Sequence, residues 1–136
     1  MSFFEWDARY ELDVESMDDE HKVLIAKMNR TYDLVARQAA QSECLEALDD
    51  FIAYTSTHFA DEEKFMQRMA YPQFDMHRSL HQSLIGNLEQ FREEMRKGAL
   101  VERELFEFLA RWLKGHIVGV DKSYASFSRS ATSMTR

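Results

Sequence analysis

Residues 58–81, HFADEEKFMQRMAYPQFDMHRSLH, contain the end of one helix, a turn and the start of another. His58 and Glu62 are four residues apart, as are His77 and His81, so each pair projects from one face of its helix, one residue above the other. Pro72 lies between the pairs and ends the first helix, because proline disfavours helical geometry in the residue before it. The chain therefore runs out, turns and comes back. Both pairs stand at the same end of a helical hairpin.

On either side of this hairpin the apolar residues keep the spacing of three and four that marks an amphipathic helix. A first helix is predicted over about 18–38, with His21, Leu24, Ile25, Met28, Tyr32 and Val35 facing inward and an acidic start at Asp18 or Asp19. The second is predicted over about 42–70, with Leu45, Leu48, Ile52, Thr55, His58, Phe59, Glu62, Met66 and Met69 on one face. The third, about 74–97, carries His77, Leu80, His81, Leu84, Leu88, Phe91 and Met95, and Gly98 stands where a glycine stops a helix. The fourth, about 100–121, carries Val101, Leu105, Phe108, Leu109, Trp112 and His116. Residues 1–17 read as an extended arm whose Phe3, Trp6, Tyr10 and Leu12 cap the bundle, and residues 123–136 as a flexible Ser-, Thr- and Arg-rich tail. The expected fold is all-α, one domain over 1–136, an up-down-up-down four-helix bundle.

Composition agrees with that plan. The chain has 136 residues, with only 4 Gly and 1 Pro, too few for the many turns of an all-β fold. A net charge of −7 excludes a general nucleic-acid binder, which needs a basic face for phosphates. No basic amphipathic surface is present to attract an anionic membrane, and the apolar runs are too short to cross one. The single cysteine, Cys44, cannot form an internal disulfide and reads as a small apolar helix residue. The first residues have neither a basic segment nor an apolar one of the signal-peptide kind. These features predict a protein of the reducing cytoplasm, with a monomer as the default.

All 5 histidines lie on or beside the apolar stripes. In an alternating bundle, the start of helix one, the end of helix two, the start of helix three and the end of helix four share one end, so the five converge. An unpaired imidazole in a core costs about 1–3 kcal/mol, against a net stability of roughly 5–15 kcal/mol for a small domain. A common metal partner satisfies all of them. Asp121 fits less directly: five residues after His116, it lies about 140° away on an ideal helix. It faces inward only if the helix ends or bulges there, for which Gly115 and Gly119 give latitude. Five imidazoles and two carboxylates are too many donors for one ion and suit two. With both carboxylates and one solvent-derived oxygen bridging, all but one position of two octahedra is filled. The open position suits a small diatomic. Imidazole-rich ligation fits iron, copper or zinc, not calcium or magnesium, and two irons fit the set best.

Taken together, His21, then His58-Phe59-Ala60-Asp61-Glu62-Glu63, Met66, His77…His81 and Trp112-Leu113-Lys114-Gly115-His116…Asp121 resemble the hemerythrin pattern, in particular its bacterial branch. The resemblance covers essentially the whole domain. It implies that His77, His81 and His116 ligate one iron, His21 and His58 the other, and Glu62 and Asp121 bridge them. It also implies a non-heme di-iron centre that binds molecular oxygen reversibly, for storage, delivery or sensing, and turns over no substrate. Leu24, Phe59, Met66, Trp112, Leu113 and Ile117 are spaced to line an apolar oxygen pocket at the metals.

Rival functions make different demands on the sequence. A ferritin-like di-iron oxidase would carry Glu-x-x-His pairs, and none occurs; nor does the His-Glu-x-x-His of zinc hydrolases. A redox or oxygen sensor would need a separate protein partner, and nitric oxide scavenging would use the same residues. The remaining acids of Asp18-Asp19-Glu20 and Asp61-Glu62-Glu63 are expected to be solvated faces or helix starts.

Overall fold

The computed structural model describes residues 4–12, 14–98 and 102–134, with side chains described up to residue 128 apart from that of residue 102. Apolar positions three and four apart fold into α1 (Glu15–Ala36), α2 (Gln41–Arg68), α3 (Phe74–Arg96) and α4 (Glu102–Gly115). A π-helical turn, His116–Asp121, follows α4 without a break and leads into α5 (Lys122–Met134), so the fourth helix of the bundle is long and interrupted once. Helix α1 packs on α2 and α4, and α2 on α3. The bundle forms because each stripe is apolar: Met28, Leu48, Met66, Leu88, Leu105 and Ile117 are completely buried. Each such side chain contributes about 1.5–3 kcal/mol of transfer free energy. Among the described residues, no helix is long and apolar enough to cross a membrane.

The helix ends differ from the sequence expectation in three places. Helix α1 begins one turn early, at Glu15, and Asp18 instead accepts the Leu12 backbone N–H at 2.9 Å, tying the arm to the helix. Helix α2 ends at Arg68, before Pro72 can act, because Ala70 takes a left-handed conformation (φ 54°) and the Tyr71 N–H reaches back to the Met66 carbonyl at 3.0 Å. Gln38 (φ 56°) closes α1 in the same way, and Gly98 (φ 90°) follows α3 as expected. The third difference is the stretch from Ser123, expected as a flexible tail: through Met134 it is helical. Tyr124 and Ala125 are buried, Phe127 packs on Tyr71 with ring centroids 5.4 Å apart, and the Ser123 hydroxyl donates to the Gly119 carbonyl, so the polar composition is absorbed by the helix itself.

In the arm, a 3-10 turn at Ala8–Tyr10 seats Tyr10 and Leu12 in the core. Asn29 on α1 clamps the Phe4 backbone with two hydrogen bonds of 2.8 and 2.7 Å. Phe3, and Leu100 and Val101 at the expected start of the fourth helix, lie outside the described residues.

Candidate metal centre

The four helices deliver seven donors to one end of the bundle. His21 comes from the second turn of α1, His58 and Glu62 from the C-terminal half of α2, His77 and His81 from the first two turns of α3, and His116 and Asp121 from the π turn. All seven are buried, none more than 5% exposed. The π turn settles the position of Asp121. Its repeat places residues five apart over one another, so Asp121 stands on the same face as His116. Asp121 Oδ1 is 2.9 Å from both His116 Nε2 and His77 Nε2, and Oδ2 is 3.1 Å from His21 Nε2.

The donor atoms form two groups that share Glu62: His77, His81, His116, Glu62 and Asp121 in one, His21, His58 and Glu62 in the other. His116 Nε2 lies 3.1 Å from His77 Nε2 and 3.2 Å from His81 Nε2. Glu62 Oε1 lies 3.2 Å from His81 Nε2 and 3.4 Å from His58 Nε2. Around an octahedral ion with bonds of about 2.1 Å, neighbouring donors sit about 3.0 Å apart. The separations therefore fit donors arranged around cations.

Hydrogen bonding within the protein does not account for the cluster. Both His21 ring nitrogens, Glu62 Oε1, both Asp121 oxygens and His77 Nδ1 are buried without a hydrogen-bond partner. His21 Nε2 is close to Asp121 Oδ2 in distance but off-line for a hydrogen bond. Buried polar atoms are nearly always satisfied, and four of these, His21 Nε2, Glu62 Oε1 and the two Asp121 oxygens, lie among the clustered donor atoms, where a shared cation would satisfy them. Nitrogen and carboxylate donors in this ratio fit a first-row transition metal.

The charges show the same strain. Burial pushes the His21 imidazolium down, but the adjoining carboxylates of Asp121 and Glu62 outweigh it and raise its pKa to about 10. Burial likewise opposes His81, and Glu62 and Glu63 raise it. Burial and the Asp121 charge push Glu62 up, yet His58, His21 and His81 hold it below the usual carboxylate range. Burial also raises Asp121, but the neighbouring imidazole of His116, with those of His21 and His77, brings it well below that range.

Three partners were not visible in the sequence. Glu20 and Glu63, expected to be solvated, bind the outer nitrogens of two imidazoles: Glu20 Oε1 is 2.7 Å from His58 Nδ1 and Glu63 Oε2 is 3.1 Å from His81 Nδ1. Such carboxylates fix the tautomer and aim the inner nitrogen. Glu20 follows Asp19 and precedes His21 on α1, and the packing of α1 on α2 brings it to His58. The third is Tyr124, completely buried, whose hydroxyl donates to Glu62 Oε2 at 2.6 Å. Burial, and then the charges of Glu62 and Asp121, raise its pKa far above the ordinary value, so it stays a donor.

Apolar side chains cover the cluster. Phe59 stacks on the His81 ring (centroids 3.7 Å apart, 3° between planes), and Trp112 stacks on His116 (4.2 Å, 12°). Leu24, Met66, Leu113 and Ile117 are buried in the same core, each within four residues of a donor.

Comparison with known proteins agrees with this geometry. The hemerythrin HHE cation binding domain profile matches residues 12–127. Bacteriohemerythrin of Methylococcus capsulatus is 32% identical over 126 residues, 91% of this chain and 95% of that protein. Bacteriohemerythrin of Stenotrophomonas maltophilia is 30% identical, over 92% of this chain and 81% of that protein. Myohemerythrin of Theromyzon tessulatum is 29% identical, over 89% and 90%. The crystal structure of wild-type hemerythrin superposes with a TM-score of 0.85 at 31% identity, covering 92% of this chain and 97% of that one. With a four-helix bundle, a buried histidine–carboxylate cluster at one end and this likeness along nearly its whole length, the chain belongs to the hemerythrin family.

Proposed function

We propose that this protein binds molecular oxygen reversibly at a non-heme di-iron centre, for storage, delivery or sensing, and is not an enzyme. His77, His81 and His116 would hold one iron, His21 and His58 the other, with Glu62 and Asp121 bridging. The observation that carries this reading is the asymmetry of the donor set: two groups share carboxylates, one with three imidazoles and one with two. The poorer side is the one left with room for a small ligand. Held by these residues, a pair of irons would supply the reversible redox chemistry that oxygen binding needs.

The residues around it do the rest. Phe59 and Trp112, stacked on His81 and His116, and Leu24, Met66, Leu113 and Ile117 keep bulk water from the centre, which slows irreversible oxidation. Glu20 and Glu63 aim His58 and His81 and hold the Nδ1 protons. The names of the relatives, bacteriohemerythrin and myohemerythrin, are not enzyme names.

The test is to load the protein with ferrous iron without air, count iron per chain and record the visible spectrum as oxygen is admitted and removed. Two irons per chain and a charge-transfer band that comes and goes with oxygen are the expected result. Two irons with immediate irreversible oxidation would refute reversible binding and favour redox sensing. Failure to retain iron would refute the ligand assignment.

A further inference from the structure

The two oxygens of Glu62 stand in different company. Oε1 faces His81 and His58 at 3.2 and 3.4 Å. Oε2 is 3.5 Å from His21 Nε2 and accepts the Tyr124 hydroxyl at 2.6 Å. Among the described residues, that phenol is the one donor meeting Glu62 with hydrogen-bond geometry. The Tyr124 ring is completely buried and held on two sides, 5.6 Å from the Phe65 ring and 5.6 Å from the His77 ring, so its hydroxyl has one place to point.

We propose that Tyr124 is a positioning residue: its hydroxyl sets the rotation of the Glu62 carboxylate so that Oε2 serves the His21/His58 side and Oε1 the side of His77, His81 and His116. This rests on the two-metal reading above. The last torsion of a glutamate is broad and offers little intrinsic preference. An untethered Glu62 could turn both oxygens to one cation. Asp121 needs no such tether, because its two oxygens already stand between imidazoles of the two sides. The side with three imidazoles keeps enough donors without Glu62; the side with two does not. Loss of the phenol therefore falls on the poorer side.

Cobalt(II) titration of the metal-free protein, followed by ligand-field absorption, tests this without recourse to oxygen. The wild-type protein takes up two ions. Tyr124→Phe is expected to keep the tighter step and weaken the second by about tenfold, the scale of an outer-shell partner. Equal weakening of both steps, or of neither, would overturn the proposal. Proton NMR of the zinc-loaded wild-type protein gives an independent check should Tyr124→Phe fail to fold. The Tyr124 hydroxyl proton is expected as a downfield, exchange-protected signal, and its absence would overturn the proposal. A wild-type protein that binds two cobalt ions yet shows no reversible oxygen binding with iron would refute the function and leave the role of Tyr124 standing. One that binds fewer than two refutes both.

Discussion

Glu63 Oε2 lies 3.1 Å from His81 Nδ1, on the side of the ring facing away from the donor cluster, so a half-buried carboxylate grips each half of the centre from outside, Glu63 on His81 and Glu20 on His58. An imidazole held this way presents its inner nitrogen as a lone pair, and its ring cannot swing. Glu20→Ala and Glu63→Ala should each lower metal affinity by about tenfold with little change in fold, since both are partly exposed. Competition with a chelator of known affinity measures this. An affinity equal to wild type in either variant would show that the grip has no bearing on the metal.

Leu113 is buried three residues before His116, on the helix that carries the Trp112 cover. Leu113→Ala should cost about 2–5 kcal/mol in stability, from lost transfer energy and the cavity left behind. Opening that space to water should also speed autoxidation of the iron-loaded protein. Thermal melts and the decay of the oxygen-dependent band read the two effects separately. A destabilised variant with an unchanged decay rate would remove Leu113 from the water barrier.

The buried charges make the metal-free protein sensitive to pH in both directions. His21, raised from its ordinary 6.5 to about 10, contributes stability that is complete below 6.5 and is lost as pH rises through 10. Glu62 and Asp121, held below their ordinary 4.5 and 3.8, contribute stability that is present above those values and is lost as pH falls. The Tm of metal-free protein should therefore be highest between about pH 5 and 6.5. Loading with zinc should abolish the alkaline decline, because the imidazoles are then already neutral on the ion. A metal-free Tm that is flat from neutral to alkaline pH would contradict this.

Ala70 occupies the left-handed region at φ 54°, where a Cβ costs about 1–2 kcal/mol. Glycine relieves that strain and gives back part of it through a freer unfolded chain, about 0.4–1 kcal/mol. Ala70→Gly should stabilise by about 0.5–1 kcal/mol in urea unfolding. A midpoint at or below wild type would show that the turn carries no such strain.

Six of the seven clustered side chains were legible because their spacing obeys the helix repeat and because antiparallel helices must bring particular ends together. The fold followed from the same periodicity. Asp121 was legible only conditionally: ideal α geometry turns it away from His116, and the π turn that restores it leaves no trace in the sequence beyond two nearby glycines. Tyr124 was lost for that reason. Beyond the π turn the helical phase resets, and a serine-rich composition looked like a chain end. Glu20 and Glu63 were lost because a charged residue beside a stripe looks the same whether it meets water or the back of an imidazole. Ala70 and Gln38 end their helices without the glycine that would announce it.

The gathering of every donor at one end also divides the molecule lengthwise. From His58 back to the start of α2 is 17 residues of helix, about 25 Å at 1.5 Å per residue. The turn between α1 and α2 therefore lies beyond reach of the chemistry. It is a natural place to open the chain, splice in a reporter or join a second protein, and the centre would be insulated from the addition by the full length of the bundle.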